Sequence, residues 1–497
     1  MPMYQHYKPL RNLVRTLELE HSLTVIWELS PHHLVNGGAP PRIRGAPPFT
    51  DLRKIIHPHQ ILLLCREVLL NANGPGRRSL SEWKDLGSVL NSITRYGALV
   101  ADVNPDNVQM MLHRVAHQQL PLQRPLSIGR LMRYVHLYLN PEVAPLLQWT
   151  LDITAREFTF LGIATYTQIA KNPRFVTQVD LTSLGISNEA RDKFYARMTS
   201  TLASMRASLK DYARFDHTWE YTFNPISDRP LINVDPSHPE RVYGPNPERM
   251  LTRFTEGTFF ILYGQPNFSD IFGRAFESHI FAVLSRTSPP ATFSWQRGPA
   301  YQANQNKHHG TDFILTDATA NVFVECKTKR LNLAGQVAAT QQDLDAELSK
   351  LADAIVQNYA NIEHYLQGGT PWPANGLPSV NLVITLEDWL LITPDIFLTL
   401  ASKVESRVQA KELSHVLQSV PYAIASSEAF EAVCSALRED TLHGIFGGCF
   451  SARPGEWQLA GTLQLKHSES FSRANRLFVD EFQQVTNQLV KVPWPTR

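Results

Sequence analysis

The hydrophobic pattern changes character about half-way along the chain. From about Asp51 to Tyr212 apolar residues recur every three or four positions, as in "DLRKIIHPHQILLLCREVLL" and "NPDNVQMMLHRVAHQQL". That spacing predicts amphipathic helices. The stretch "ISNEARDKFYARMTSTLASMRASLKDY" opens on the start signals Ser187, Asn188 and Glu189 and predicts one long helix. His57 and His59 flank Pro58, which predicts a turn or kink there. No third metal ligand accompanies them, so they read as surface or helix-end histidines.

Two segments interrupt the periodic pattern. Asn36 to Phe49, "NGGAPPRIRGAPPF", is too rich in Gly and Pro for regular structure and reads as a surface loop. Arg42 and Arg44 make it mildly basic, and an arm touching a phosphate backbone is the less favoured reading. Phe223 to Pro247, "FNPISDRPLINVDPSHPERVYGPNP", is rich in Pro, Asp and Asn and marks a domain boundary. The expected domains are residues 1–245, mainly helical and concerned with recognition or partner binding, and 246–497. "PERMLTRFTEGTFFILYG" then predicts a helix leading into the second domain.

From Ser269 helices alternate with strands. "SDIFGRAFESHIFAVLSR" predicts a helix, and "ATFSWQRG", "GTDFILTD" and "NVFVECKTK" predict three strands, the last two joined by a tight turn near Ala318 to Ala320. "ATQQDLDAELSKLADAIVQNYANIEHYLQGG" predicts a long helix stopped by a Gly pair. The strand "SVNLVITLED", a helix from "TPDIFLTLASKVESRVQA" and the short strand "PYAIAS" follow. This order predicts an α+β or α/β domain built on a mixed central sheet flanked by helices.

Composition adds limits. The 497 residues are 43% hydrophobic and 19% charged, ordinary for a globular protein of two or three domains. No apolar run approaches the roughly 20 residues that span a bilayer, and the N-terminus lacks a secretory h-region. Cys65, Cys326, Cys434 and Cys449 form no CxxC pair, which argues against a structural zinc and a disulfide framework. An intracellular, cytoplasmic setting is expected. The net charge of +1 gives no global pull on nucleic acid, so phosphate binding requires a local basic patch.

The chemistry is concentrated in "GTDFILTDATANVFVECKTKR", Gly310 to Arg330. Side chains alternate along a strand, so Val322, Val324 and Cys326 share one face while Phe323, Glu325, Lys327 and Lys329 share the other. Glu325 and Lys327 then lie roughly 7 Å apart along the strand, pointing the same way. A hairpin brings Asp312 across from them. Two carboxylates and an ammonium at the end of an apolar sheet are costly unless compensated. A divalent cation with oxygen ligands, Mg²⁺ or Mn²⁺, resolves the conflict. Such an ion acidifies a bound water and holds a phosphate oxygen, and an adjacent Lys orients the water or stabilises developing charge.

Asp312 followed after a hairpin by Glu325-Cys326-Lys327 resembles the Asp…Glu-x-Lys signature of the PD-(D/E)XK, restriction-endonuclease-like nuclease superfamily. The resemblance covers about Ser269 to Asp388, including the helix–three strands–helix–strand order. It implies that Asp312, Glu325 and the main-chain carbonyl of Cys326 bind the metal and that Lys327 acts on the attacking water. It also implies an assisting glutamate on the preceding helix, for which "FGRAFESHIF" offers Glu277. Thr311 stands where the family name implies Pro. A helix glutamine that assists in some subfamilies would correspond to Gln357, or to Gln341 or Gln342. Cys326 itself reads as a small packing side chain, with no base near in sequence.

Lys307, His308 and His309 precede the Asp312 strand, and Lys329 and Arg330 follow the triplet. They are candidate contacts to a nucleic-acid backbone or members of polar loops. The expected activity is metal-dependent phosphodiester hydrolysis, favouring a DNA endonuclease of restriction, antiviral defence or repair. The alternatives are an RNase and a catalytically inactive binding or scaffold protein of the same fold. Partner proteins reached through the helical half, and a homo-oligomer, are compatible with the sequence.

Overall fold

The computed structural model describes residues 2–35, 41–73, 76–101, 103, 107–123, 127–287, 293–303, 306–337, 340–391, 393–452 and 457–487. The chain is α+β, with two mixed sheets. It divides into two compact units, Met1–Leu126 with Val143–Pro266 and Asp480–Arg497, and Ser127–Glu142 with Asn267–Val479. This differs from a single cut at 245/246. Among the described residues no helix is long and apolar enough to cross a membrane.

The first unit is mainly helical around a core that includes Tyr7, Leu10, Leu23, Ile26, Leu64, Val68 and Ile93. Helix Pro58–Asn71 is buried nearly all round, as its apolar run demands. The His57–Pro58 turn sits at its start, where the His57 N–H donates to Gln60 Oε1 at 3.2 Å. His57 is exposed there, but His59 is buried, its Nε2 3.7 Å from Glu220 Oε2. Of the Gly/Pro segment, residues 36–40 lie outside the described residues. Arg44, in the described part of the segment, is exposed and pairs with Glu82 at 2.7 Å.

Three expectations need correction here. The "long helix" is two, Asn188–Met198 and Leu202–Tyr212, separated by the strand Thr199–Thr201. The Thr-Ser-Thr run pairs in parallel with Leu231–Asn233, and the Thr201 hydroxyl caps the second helix by accepting the Ser204 N–H. β-Branched residues with a cap to offer thus win over helical periodicity. The Pro/Asp-rich segment is also not wholly irregular. It supplies Leu231–Asn233 and Arg241–Tyr243, which join Arg174–Val176 and Thr199–Thr201 in a four-stranded sheet. The helix expected to lead into the second unit is instead two, Pro247–Phe254 and Glu256–Leu262, and both belong to the first.

The second unit is built on α1 (Ile128–Tyr138), α2 (Phe268–Thr287), β1 (Ser294–Arg297), β2 (Phe313–Thr316), β3 (Asn321–Lys327), α3 (Gln341–Leu366), β4 (Ser379–Thr385), α4 (Pro394–Ala410), β5 (Tyr422–Ser426) and α5 (Ser427–Ala436). The sheet order is β5-β4-β3-β2-β1. β1, β2 and β3 are antiparallel neighbours, while β3, β4 and β5 run parallel. The β2–β3 turn is pinned by Asp317 Oδ1, which accepts the N–H groups of Thr319 and Ala320 at 2.7 and 3.0 Å. The segment before β2 is a further small hairpin, Tyr301–Ala303 with Asn306–His308, where a polar loop was one of the expected readings.

One sheet face, carrying Ile314, Phe323 and Val383, packs under α3. Thr340 caps α3 by a reciprocal pair with Asp343. Asn358 of α3 donates to the Phe323 carbonyl at 3.1 Å and to Asn381 Oδ1 at 2.8 Å, and Asn381 donates back to the Ile355 carbonyl. These buried amides fix the helix against β3 and β4, because an unmet partner there would carry a desolvation cost. β4 is buried along its whole length, as a central strand covered on both faces must be.

A buried triad ties α1 to this unit. Arg133 donates from Nε and Nη2 to the two carboxylate oxygens of Glu431 at 2.7 and 2.9 Å, and His279 Nε2 lies 3.0 Å from Glu431 Oε1. Burial alone would raise the Glu431 pKa, but the Arg133 charge and hydrogen bonds hold it down at about 2. Glu431→Ala strands a buried guanidinium. It should cost about 3–5 kcal/mol, read from urea unfolding, and an unchanged midpoint would contradict it.

Candidate functional site

The site lies where β2 and β3 end. The ladder closes with Phe313 opposite Val324, and the Asp312 N–H donates to the Val324 carbonyl at 3.0 Å. Beyond it the Asp312 side chain replaces a backbone partner, Oδ2 accepting the Cys326 N–H at 2.6 Å. Lys327 Nζ donates to Glu325 Oε1 at 2.6 Å. Glu325 is only 4% exposed, and its second oxygen, Oε2, is shut from solvent with no hydrogen-bond partner.

The electrostatics reflect this crowding. Burial, then the Glu325 charge, pushes the Asp312 carboxyl up to about 7 against the pull of the Cys326 N–H and Lys327. Burial also raises Glu325, and Lys327 opposes that shift while Glu277 adds to it. Glu277, half-buried on α2, is raised by burial and then by Asp312. The hairpin and α2 therefore bring Asp312, Glu325, Lys327 and Glu277 within one another's fields. The Cys326 thiol is buried and pushed well above its usual range, first by burial and then by Asp312, as befits a packing residue.

Among the described residues no group of three or more His, Cys, Asp or Glu side chains is already arranged to hold a metal ion. One oxygen of each strand carboxylate is turned inward, on the Lys327 ammonium and on the Cys326 N–H. The donor chemistry nevertheless fits a hard divalent cation. It offers carboxylate oxygens, one of them orphaned, at a place where negative charge is already in excess.

Other expected residues are more dispersed. The side chains of Lys307 and His308 lie outside the described residues, and His309 is exposed. Lys329 Nζ donates to the Lys350 carbonyl at 3.0 Å. Arg330 contributes its charge to Glu387, which also binds Arg130 at 2.9 Å and the Tyr134 hydroxyl at 2.5 Å. Gln357 stands on the exposed side of α3, with Asn358 and Tyr359 turned to the core, so it does not join the carboxylates. Gln341 and Gln342 are exposed at the start of α3.

Two residues were not singled out from the sequence. Tyr365, at the end of α3, accepts the Thr311 N–H at 3.2 Å and donates to the Pro299 carbonyl at 3.1 Å. Thr311 also donates its hydroxyl to the Val324 carbonyl at 2.6 Å, so Thr gives the chain before Asp312 two donors that a Pro would lack. Gly310, at φ +76°, passes so close that an added Cβ would sit 2.2 Å from the Tyr365 hydroxyl. No local pattern marks Tyr365. Tyr365→Phe should lower stability by about 1–2 kcal/mol, measured by chemical denaturation, and no loss would show that these bonds do not hold the loop. The second residue, Arg297, ends β1 and partly offsets the Glu277 shift. Its signal was its place two residues after Trp295 in the expected strand.

The chain matches no family model, no curated protein and no solved structure.

Proposed function

We propose that the second unit is a metal-dependent nuclease with a restriction-endonuclease-like core, and that the protein cleaves phosphodiester bonds, DNA favoured. The observation that carries the reading is the buried Glu325 carboxylate, with one oxygen orphaned and the other on Lys327, beside Asp312 and Glu277. A hydrophobic sheet end tolerates three carboxylates only if a cation or protons neutralise them. The antiparallel β1-β2-β3 followed by a helix and the parallel β4 supports the resemblance stated above.

Asp312, Glu325 and the Cys326 carbonyl would hold Mg²⁺ or Mn²⁺, with Glu277 assisting. When bound, such an ion supplies an acidified water and charge neutralisation at the phosphate. Lys327 orients the attacking water and donates to charge developing on the phosphoryl oxygens. The Asp312 carboxylate is held in place through the Cys326 N–H, and Tyr365 braces the approach to it. The first unit would recognise the substrate or a partner protein.

A second reading is a nuclease-fold binding protein that cuts nothing. The closed Lys327–Glu325 contact favours it, since that contact occupies an oxygen the metal would use. Incubation of the purified chain with plasmid, duplex, single-stranded and RNA substrates, in Mg²⁺, Mn²⁺ or chelator, separates the readings. Cleavage that appears with the metal and disappears with chelator is expected. No cleavage of any substrate, together with no divalent-ion binding by calorimetry, removes the nuclease reading, and the RNA arm decides between DNase and RNase.

A further inference from the structure

Beside the carboxylates lies a surface whose residues have no part in metal chemistry. Arg297 and Trp295 are two positions apart on β1 and pair with Phe313 and Leu315, so both project to the sheet face opposite α3. The Arg297 guanidinium carbon lies 5.5 Å from the ring centroids of both Phe281 and Phe313. Phe281 sits four residues after Glu277 on α2, hence on the same side of that helix. Its ring meets Trp295 edge-on, at 5.3 Å and 90°. Phe281 is 40% exposed and Arg297 is exposed, on the edge strand of the sheet.

What distinguishes Arg297 is that no carboxylate neutralises it by contact. Among the described residues no ion pair involves it, although its charge is felt at Glu277. It is held by ring faces, which orient a guanidinium while leaving its N–H donors to a ligand. A free, oriented guanidinium near Glu277, the member of the carboxylate cluster carried by α2, supplies what that cluster lacks, an anchor for an anionic substrate.

Resting on the nuclease reading above, we infer that Arg297, Phe281 and Trp295 form a ledge that binds an unpaired nucleotide beside the scissile phosphate. Arg297 takes the phosphate next to the one being cut. The base stacks on the exposed edge of the Phe281–Trp295 pair or on the guanidinium plane. A paired base keeps its faces buried within the duplex and gains nothing from such a ledge. The site therefore favours single-stranded or frayed substrates over blunt duplex.

The test uses the full chain and Arg297→Gln, with Arg297→Lys as the charge-keeping control and thermal melts to establish that both fold. Anisotropy with labelled oligothymidylate and with a blunt duplex, in Ca²⁺ to permit binding, reads affinity. Cleavage in Mg²⁺ or Mn²⁺ reads KM and kcat. The wild type should prefer the single strand. Arg297→Gln should weaken single-strand binding about tenfold or more, mostly in KM, and lower the salt-dependence slope by about one. Arg297→Lys should retain the slope and recover only part of the affinity. If the wild type cuts and Arg297→Gln binds and cuts single strands equally well, the ledge is wrong and the nuclease reading stands. If the wild type cuts nothing but binds single strands through Arg297, the ledge stands without the nuclease. Equal affinity for single strand and duplex overturns the preference for unpaired nucleotides.

Discussion

Glu325→Gln should reduce metal-dependent cleavage by about 10³-fold or more, at little or no cost in folding. The loss expected for a group that holds a catalytic cation is several kcal/mol of transition-state stabilisation, and each factor of ten corresponds to about 1.4 kcal/mol. The substitution keeps the shape of the side chain and removes a charge that the site carries at a cost, since Glu325 is buried and its Oε2 has no partner. Lys327→Met should behave differently. Activity falls by about 10²–10⁴-fold, the usual worth of a positioned proton-handling group, and the fold weakens too. Removing the ammonium leaves Glu325 Oε1 without its 2.6 Å partner, and stranding half of a buried pair destabilises. The double variant should cut no more slowly than the worse single one, because the two side chains serve one step. Plasmid nicking with matched urea unfolding measures all three. Full activity in Glu325→Gln would overturn the assignment.

The second unit was legible in the sequence where each strand had its own local signal. "VFVECK" is apolar until it reaches its charged end, and the Asp317 turn chemistry fixes the register that sets Asp312 beside Glu325. The burial on α2 likewise let Glu277 be placed facing inward. What stayed hidden was tertiary. Tyr365 acts from the far end of a 26-residue helix, and nothing near Thr311 in sequence announces it. Gln357 matches the expected glutamine only by position on α3, where the 3.6-residue period turns Asn358 to the core in its place.

The first unit was less legible because its sheet is made of strands of only three residues each. A strand that short shows no alternation to read. Thr199–Thr201 exists because Leu231–Asn233 lies alongside, some thirty positions later in the chain. Helix α1, which precedes residue 245 in the chain, groups with the second unit for a similar reason. Its amphipathic pattern says that one face is covered, while the Arg133 contact to Glu431 decides by what.

Metal-free protein should lose stability as pH rises from about 4 to about 8, and Mg²⁺ or Mn²⁺ should restore it. The Asp312 carboxyl is raised from 3.8 to about 7, first by burial and then by Glu325. The native state thus holds this proton more tightly than the unfolded chain does. The stability it contributes is complete below the unfolded value and is lost as pH climbs through the folded one. At about 1.4 kcal/mol per pKa unit, a rise in this direction is worth on the order of a few kcal/mol. Glu325 and Glu277 are raised too, so their contributions have the same sign. Asp312→Asn removes the titrating group, keeps an oxygen for the Cys326 N–H, and should melt higher than wild type above about pH 7 in chelator. For a domain of this size each kcal/mol corresponds to about 2–4 °C. Added divalent ion should reverse the ranking, because ligand stabilises only a protein that binds it. Thermal melts of both proteins across this pH range, with chelator and with each metal, give the answer. A wild-type melting temperature insensitive to both pH and metal would mean that the carboxylates neither titrate in this range nor await a cation.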